Sequence, residues 1–482
     1  MATSLSLLIG GSPHRSNTFF ERIGPLSGDA ASRAVAATVS EANAAAAAAQ
    51  LAFAAWSVRG PNDRRAVLYR AASALEARVA DFVDSMMSET GSTEAWARFN
   101  VMLAAGMIRE AASLTTQISG EVIPSDKPGC LAFTVREPAG VVLGIAPWNA
   151  PVILGVRAIA VPLACGNTIV LKASEICPRT HSIIIECFIE AGMTGGIVNL
   201  ITNAPQDAAT IVGALIDHPA VRRINFTGST AVGRIVAIRA SQNLKPALLE
   251  LGGKAPLLVL DDADLEEAVK ACAFGAFMNQ GQICMSTELI IVDDSVADTF
   301  AERFSAKVST LRASDPRVVQ AQLGAVVDGK TVSHVEALIE DAIRNGASRL
   351  IGGVSAGPVM PPTVLDNITS SMKLFRDESF GPIVGIVRAR DEQHAIALAN
   401  QTEYGLSASV FTKDAARGLR VAKQIKSGIC HINGPTVHDE PQMPFGGVKN
   451  SGYGRFGGKA GIDAFTELRW ITVETQPGHY PI

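Results

Sequence analysis

Cys284 lies in NQGQICMSTE, where a single thiol sits between a polar, Gly-containing turn and a strand-like run, LIIV. A free cysteine is commonly a buried, inert residue. It becomes a nucleophile when it is partly exposed, close to backbone N–H donors and within reach of a base, and such a turn can supply the first two conditions. Glu250 is the candidate base, a lone carboxylate in the apolar run of PALLELGGKAPLLVL. A salt bridge to Lys254 is the competing structural role. Burial against apolar neighbours would instead raise its pKa and suit it to take a proton from water near neutral pH. Gly252 and Gly253, just beyond it, would let backbone approach a ligand closely. Asn149, in APWNAP, precedes a helix with Pro151 at an early position, so it can be an N-cap or an amide donor to an oxyanion.

Two further motifs have the chemistry of nucleotide contacts. FTGSTAVG places Gly228, Ser229 and Gly233 between a strand and a helix, like a phosphate-binding turn but without full GxGxxG spacing. An ordinary turn with Ser229 as N-cap would look the same. In VLKASE, Lys172 and Glu175 follow a strand, where a carboxylate can hydrogen-bond ribose hydroxyls and repel a 2′-phosphate. Solvated surface charges are the alternative there.

These residues need a scaffold, and the patterning supplies one. The N-terminal segment MATSLSLLIGGSPHRS reads as a first strand and turn; with no basic residue before its short apolar stretch it is a poor signal peptide. An Ala-rich run from Glu41 to Trp56 and the segment from Pro61 to Thr90 read as successive amphipathic helices ending at Gly91. From Val141 short β-branched runs alternate with helical stretches, the rhythm of βαβ units and a parallel sheet. A new α/β unit begins after Gly252 and Gly253. LAFTVREPAG and FTELRWITVETQ look like strands that leave the main sheets and could pair across a subunit interface.

Composition narrows the function classes. The 482 residues suffice for two or three domains, and 46 acidic against 42 basic residues leave a charge of −4, so neither nucleic acid nor an anionic membrane is the expected partner. Charged residues make up 18% and hydrophobic residues 48%, which predicts extensive burial. Seven scattered cysteines without a CxxC pair and eight dispersed histidines predict no disulfide framework and no structural metal, and fit a reducing cytoplasm. The longest uncharged apolar stretch, Gly140 to Val156, is broken by Pro147 and Pro151, which argues against a membrane helix.

In chain order, APWNAP, VLKASE, FTGS, LELGGK, GQIC, ESFGP and PFGGVKNSGYGR resemble the NAD(P)-dependent aldehyde dehydrogenase superfamily over essentially the whole length. The resemblance implies an α/β fold: a Rossmann-type NAD-binding domain (1–119 and 139–250), an α/β catalytic domain (251–450) and β oligomerisation strands (120–138 and 463–482). It implies Cys284 as nucleophile, Glu250 as general base, and Asn149 with the Cys284 backbone N–H as oxyanion hole. Lys172 and Glu175 would hold the adenosine ribose, with Glu175 favouring NAD, and Ser174 would be a further cofactor contact. Trp148, Gly228, Ser229 and Gly233 would lie near the pyrophosphate. Leu251 and Gly252 would also contact the cofactor, Glu378 would bind the nicotinamide ribose, and Phe380 would pack beside the nicotinamide.

Within the superfamily, PWNAPVILGVRAIA and NSGYGRFGGKAGIDAFTELRWIT resemble the aromatic-aldehyde branch. That branch implies oxidation of salicylaldehyde to salicylate, with benzaldehyde or vanillin as the alternative substrates, by a homodimer or dimer of dimers. A cofactor-independent cysteine (thio)esterase is the competing class, and a non-catalytic member of the fold a third. CoA-acylating relatives are disfavoured because Glu250 is present. Many relatives carry an acid where this chain has Phe456. Ala150, Leu154 and Arg157 share one helix face, which in this family lines the substrate entrance. Arg157 there is either half of a buried ion pair or a partner for a phenolic oxygen of the substrate.

Overall fold

A computed structural model describes residues 3–478 and 480–482. Met1 and Ala2 of the N-terminal segment and His479 of the 463–482 segment lie outside the described residues. The expected first strand and turn is a hairpin: Leu7–Ile9 pairs antiparallel with Ser12–His14 across Gly10 and Gly11, both at positive φ. The alanine run is the helix Val39–Ser57, opened by a capping box between Thr38 and Glu41. Its buried Ala42, Ala45, Ala46 and Ala49 form a narrow stripe that packs closely on the first large sheet.

That sheet runs, strand beside strand, Gly452–Tyr453, Ala247–Glu250, Val221–Thr227, Val141–Ile145, Thr168–Lys172, Val198–Ile201, Leu7–Ile9, Ser12–His14. Its five central strands are parallel. The first of them in the sequence, Val141–Ile145, lies in the middle; the chain builds outward to Val198–Ile201, then crosses to the other side. A crevice is therefore expected beyond the carboxyl ends of Val141–Ile145 and Val221–Thr227, where the strand order reverses.

The pairing changes sheet across Gly252 and Gly253. Ala255–Val259 lies inside a second, seven-stranded sheet with Thr287–Asp293, Ile383–Ala389 and Thr363–Asp366 on one side and Ser407–Phe411 and Ile429–Ile432 on the other, all parallel. Ser348–Ile351 closes one edge antiparallel. The chain later returns to the first sheet, where Gly452 registers against Glu250.

The two strands expected to leave the main sheets do so and pair with each other. Cys130–Pro138 and Thr466–Glu474 run antiparallel over their full nine-residue lengths, with Val122–Ile123 on the outer edge. The helix Gly458–Phe465 delivers the second strand to the first, so the ladder closes within one chain. Among the described residues no helix is long and apolar enough to cross a membrane, and no cluster of three metal-ligating side chains occurs.

Candidate active site

The crevice expected from the topology holds a cavity of about 300 Å³. Pro147, Trp148 and Asn149 enter it from the end of Val141–Ile145, and Thr227, Gly228 and Ser229 from the end of Val221–Thr227. Glu250, Leu251 and Gly252 follow the neighbouring strand, while Cys284, Glu378 and Phe380 come from the second sheet. Leu154 completes the lining from the helix Pro151–Ala164. Residues more than 200 positions apart thus meet at one place.

Glu250 does not pair with Lys254. Lys254 Nζ donates to Glu288 Oε2 at 2.5 Å and to the Asp377 carbonyl at 2.8 Å, while both carboxylate oxygens of Glu250 are buried without a hydrogen-bond partner. The strand pairing explains the choice: Lys254 immediately precedes Ala255–Val259, and Glu288 is the residue passed over where the register shifts between Ala255↔Thr287 and Pro256↔Leu289. Burial pushes Glu250 up to about 7; the charge of Arg157 and the Cys284 thiol act against this, and Asp439 adds to it. Glu250 is thus poised to exchange a proton near neutral pH.

Cys284 is half-buried at the cavity wall. Burial of its surroundings and the carboxylates of Glu250 and Glu378 push it well above the ordinary thiol range, so the resting group is protonated. Its turn is held in unusual backbone: Asn279, Gln280 and Gly281 have φ of 49°, 58° and 71°. Side-chain amides pin that turn. Gln280 Nε2 donates to the Ala325 carbonyl and Gln280 Oε1 accepts from Gly324 N, both at 2.9 Å, and Gln282 Oε1 accepts from Val327 N at 2.9 Å. A Cβ at Gly253 would stand 2.1 Å from the Cys284 carbonyl oxygen, and one at Gly252 would stand 2.6 Å from Glu378 Oε2. The paired glycines thus permit close approach of the protein's own groups, and Gly252 also lines the cavity.

Asn149 is not an N-cap; Ala150 holds that position with no side-chain cap bond. The Asn149 side-chain amide donates one hydrogen bond to the Gln282 carbonyl at 3.0 Å, and the Asn149 backbone carbonyl accepts from Trp96 Nε1 and Asn279 Nδ2, both at 3.0 Å. An amide nitrogen has two protons, so one remains for an oxyanion beside Cys284.

The cofactor residues divide into two groups. Trp148 and Phe380 meet edge to face at 5.7 Å and form one wall of the cavity. Glu378 accepts from Gly253 N at 2.8 Å; burial, then the charge of Glu288, pushes it up to about 8. Ser229 caps the helix Thr230–Gln242 through Val232 N, so the capping role is real, and it leaves a helix N-terminus facing the cavity. Gly233 lies outside the lining, where a Cβ would strike Leu251 at 2.4 Å, so its work is helix-to-strand packing.

Lys172, which ends the strand Thr168–Lys172, and Ser174 and Glu175 in the turn after it also lie outside that lining. Lys172 Nζ pairs with Glu175 Oε1, which also accepts from Asn203 Nδ2 at 2.8 Å. Burial raises the Glu175 pKa, but Lys172 and these hydrogen bonds outweigh it and hold the carboxylate below its ordinary value. Its second oxygen remains for a diol. Ser174 Oγ accepts from Ile176 N at 3.2 Å, a turn contact.

Two of the three expected substrate residues are placed differently. Ala150 is buried and does not line the cavity. Arg157 does not reach it either: its Nη2 pairs with Asp439 Oδ2 in the interior, because a guanidinium on a buried helix must find a counter-charge. Sequence reasoning missed Asp439, Glu288 and the Asn279–Gln282 amides. Glu288 carries the same signal as Glu250, a lone carboxylate in an apolar run, and the polar NQGQ stretch announces the strained turn.

Comparison with known proteins agrees with this geometry. A profile of the aldehyde dehydrogenase family matches residues 12–471. The chain is 58% identical over 478 residues to a vanillin dehydrogenase of Pseudomonas fluorescens, covering 99% of each chain. It is 48% identical over 463 residues to a salicylaldehyde dehydrogenase of Pseudomonas putida, covering 96% of each. The crystal structure of a salicylaldehyde dehydrogenase from Pseudomonas putida G7 complexed with salicylaldehyde superposes with a TM-score of 0.98 at 46% identity, covering 100% of both chains. The chain belongs to the aldehyde dehydrogenase family.

Proposed function

We propose that this protein oxidises an aromatic aldehyde to its carboxylic acid, with NAD as the hydride acceptor and Cys284 as the nucleophile. The observation that carries the reading is the convergence of a half-buried thiol, a partner-free buried carboxylate and a held amide donor on one cavity.

Glu250, when ionised, takes the proton of the Cys284 thiol, and the thiolate adds to the aldehyde carbon. The resulting oxyanion accepts hydrogen bonds from the free Asn149 N–H and the Cys284 backbone N–H. A nicotinamide dinucleotide, when bound, supplies the acceptor for the hydride that leaves this carbon. A thioester on Cys284 remains. Glu250, after losing its first proton to solvent, takes one from water as that water adds to the thioester carbon, and the thiolate leaves. The residues fit a dinucleotide: the crevice lies at the reversal of strand order, Gly228 and Ser229 open a helix there, and Glu175 offers a carboxylate oxygen to a ribose. A carboxylate at that point supports NAD over NADP.

The proposed substrate is salicylaldehyde, with vanillin as a second reading favoured by the 58% identity to a vanillin dehydrogenase. None of the residues lining the cavity is cationic, so charge does not separate ortho- from para-hydroxyl rings. Values of kcat/KM for salicylaldehyde, vanillin, benzaldehyde and an aliphatic aldehyde, with NAD and NADP, test the whole reading. A preference for the aliphatic aldehyde overturns the aromatic assignment; ester hydrolysis with no NADH from any aldehyde would return the esterase. Apolar side chains stand exposed on the three-stranded arm (Trp470 71%, Leu468 60%) and on the helix Thr230–Gln242 (Ile235 65%). They support a homodimer or dimer of dimers, which a monomer mass by light scattering would contradict.

A further inference from the structure

Asn203 follows closely on the strand Val198–Ile201, whose register sets Ile201 opposite Lys172. The segments that run on from these two strands stay side by side, and Asn203 meets the turn that carries Glu175. The Asn203 side chain is buried. Its Nδ2 donates to Glu175 Oε1 at 2.8 Å and to the Ala204 carbonyl at 2.9 Å, while its Oδ1 is buried without a partner. Both groups that face Nδ2 are acceptors, so turning the amide round would set its oxygen against the carboxylate. A side chain that only filled space here would be apolar and would leave no orphaned oxygen. The unanswered Oδ1 marks the amide as a residue kept for its donor.

The carboxylate it holds is used unevenly. Glu175 Oε1 takes both Lys172 Nζ and Asn203 Nδ2, which leaves Oε2 for a ligand. The Glu175 side chain is 18% exposed against 6% for Lys172, so the carboxylate is the open member of the ion pair. Two bonds from neighbouring strands' ends fix its plane, whereas Lys172 alone would leave it free to rotate toward solvent. The backbone of the turn is fastened separately: Ala173 N donates to the Ile201 carbonyl at 2.9 Å, and Ser174 N to Nδ1 of the buried His181 at 3.1 Å. Loss of the Asn203 amide should therefore free the carboxylate and leave the turn in place.

We propose that Asn203 is a positioning residue for cofactor choice: by holding Glu175 Oε1 against Lys172 it keeps Oε2 presented to the ribose diol of NAD and keeps the Lys172 ammonium from the 2′-phosphate of NADP. This rests on Glu175 lying at the adenosine ribose. An acceptor already fixed in place needs no further ordering when a diol binds it. A carboxylate that cannot swing aside also keeps its repulsion toward a 2′-phosphate, and the cation beneath it stays answered.

The test is calorimetric titration of the protein with NAD and with NADP in the absence of aldehyde, read as the Kd for NADP divided by the Kd for NAD. Asn203→Leu should lower this ratio by about tenfold, the worth of a hydrogen bond to a charged group. Added to Glu175→Gln, the same substitution should change the ratio by less than about twofold, because the amide acts through the carboxylate. Equal weakening of both cofactors by Asn203→Leu would be the mark of a structural role alone and overturns the proposal. So does a full tenfold change on top of Glu175→Gln. If Asn203→Leu does not fold, Asn203→Ala, which removes the same donor without adding volume, is judged by the same outcomes. Glu175→Gln by itself separates the two ideas. If it leaves the ratio unchanged, the ribose reading fails and the proposal with it. If it lowers the ratio while Asn203→Leu does not, only the Asn203 proposal fails.

Discussion

Glu250 and Lys254 stand on either side of Gly252 and Gly253, and their surroundings are opposites. Lys254 is fully buried, yet its ammonium reaches Glu288 and the Asp377 carbonyl, and Glu288 in turn accepts from Ser379 N at 3.0 Å and Phe380 N at 3.3 Å. Every charge in that cluster is answered, and its effect is to fix the turn that carries Glu378 and Phe380. Glu250 is equally buried and has no hydrogen-bond partner. A satisfied buried charge holds geometry, whereas an unsatisfied one has proton affinity to spend on chemistry.

The largest test of this contrast is Cys284→Ala, which should lower aldehyde-dependent NADH formation by about 10⁴-fold or more while leaving Tm nearly unchanged. Residual turnover near the parent rate would remove the thiol from the mechanism. Glu250→Gln should reduce steady-state NADH formation by about 10²–10⁴-fold, because both the thiol deprotonation and the thioester hydrolysis assigned to it are slowed. The same variant should be more stable than the parent above pH 7. A carboxyl raised to about 7 from an ordinary 4.5 contributes its full relative stability below pH 4.5 and loses it as pH rises through 7. Chemical denaturation at pH 5 and pH 8 should show the variant's advantage growing to roughly 3 kcal/mol. An advantage that does not grow with pH would show that Glu250 is not held protonated by burial.

Lys254→Met should act on the other side of the comparison, costing about 3–5 kcal/mol because Glu288 is left buried and unpaired. Urea midpoints measure this, and a loss below about 1 kcal/mol would mean that water answers Glu288 instead. The smallest effect is expected at Glu175→Gln, which should leave kcat with NAD near the parent value and improve kcat/KM for NADP by about tenfold. An unchanged NAD to NADP ratio would detach Glu175 from the ribose.

Much of this was legible from residue order. Alternating short apolar runs and helices announced the parallel sheets, the GG pair marked the change of sheet, and the motif set singled out Cys284 among seven thiols. Each of these signals is local: a period, a turn residue or a short motif. The same reasoning left Glu250 open between a salt bridge to Lys254 and a raised pKa, Asn149 between a cap and an oxyanion donor, and Arg157 between an unspecified acid and a substrate oxygen. It placed the two arm strands outside the main sheets without showing that they pair with each other.

The sequence by itself therefore determined the kinds of element, the family and the set of groups able to react. Which charge meets which was decided only by the tertiary structure. Register brings Glu288 to Lys254, and the return of Gly452–Tyr453 to the first sheet brings Phe456 to Arg157. The physical reason is that ion pairing and desolvation depend on separations of a few ångströms between residues far apart in the chain. A one-residue change of register would reassign those pairs while leaving every local pattern intact.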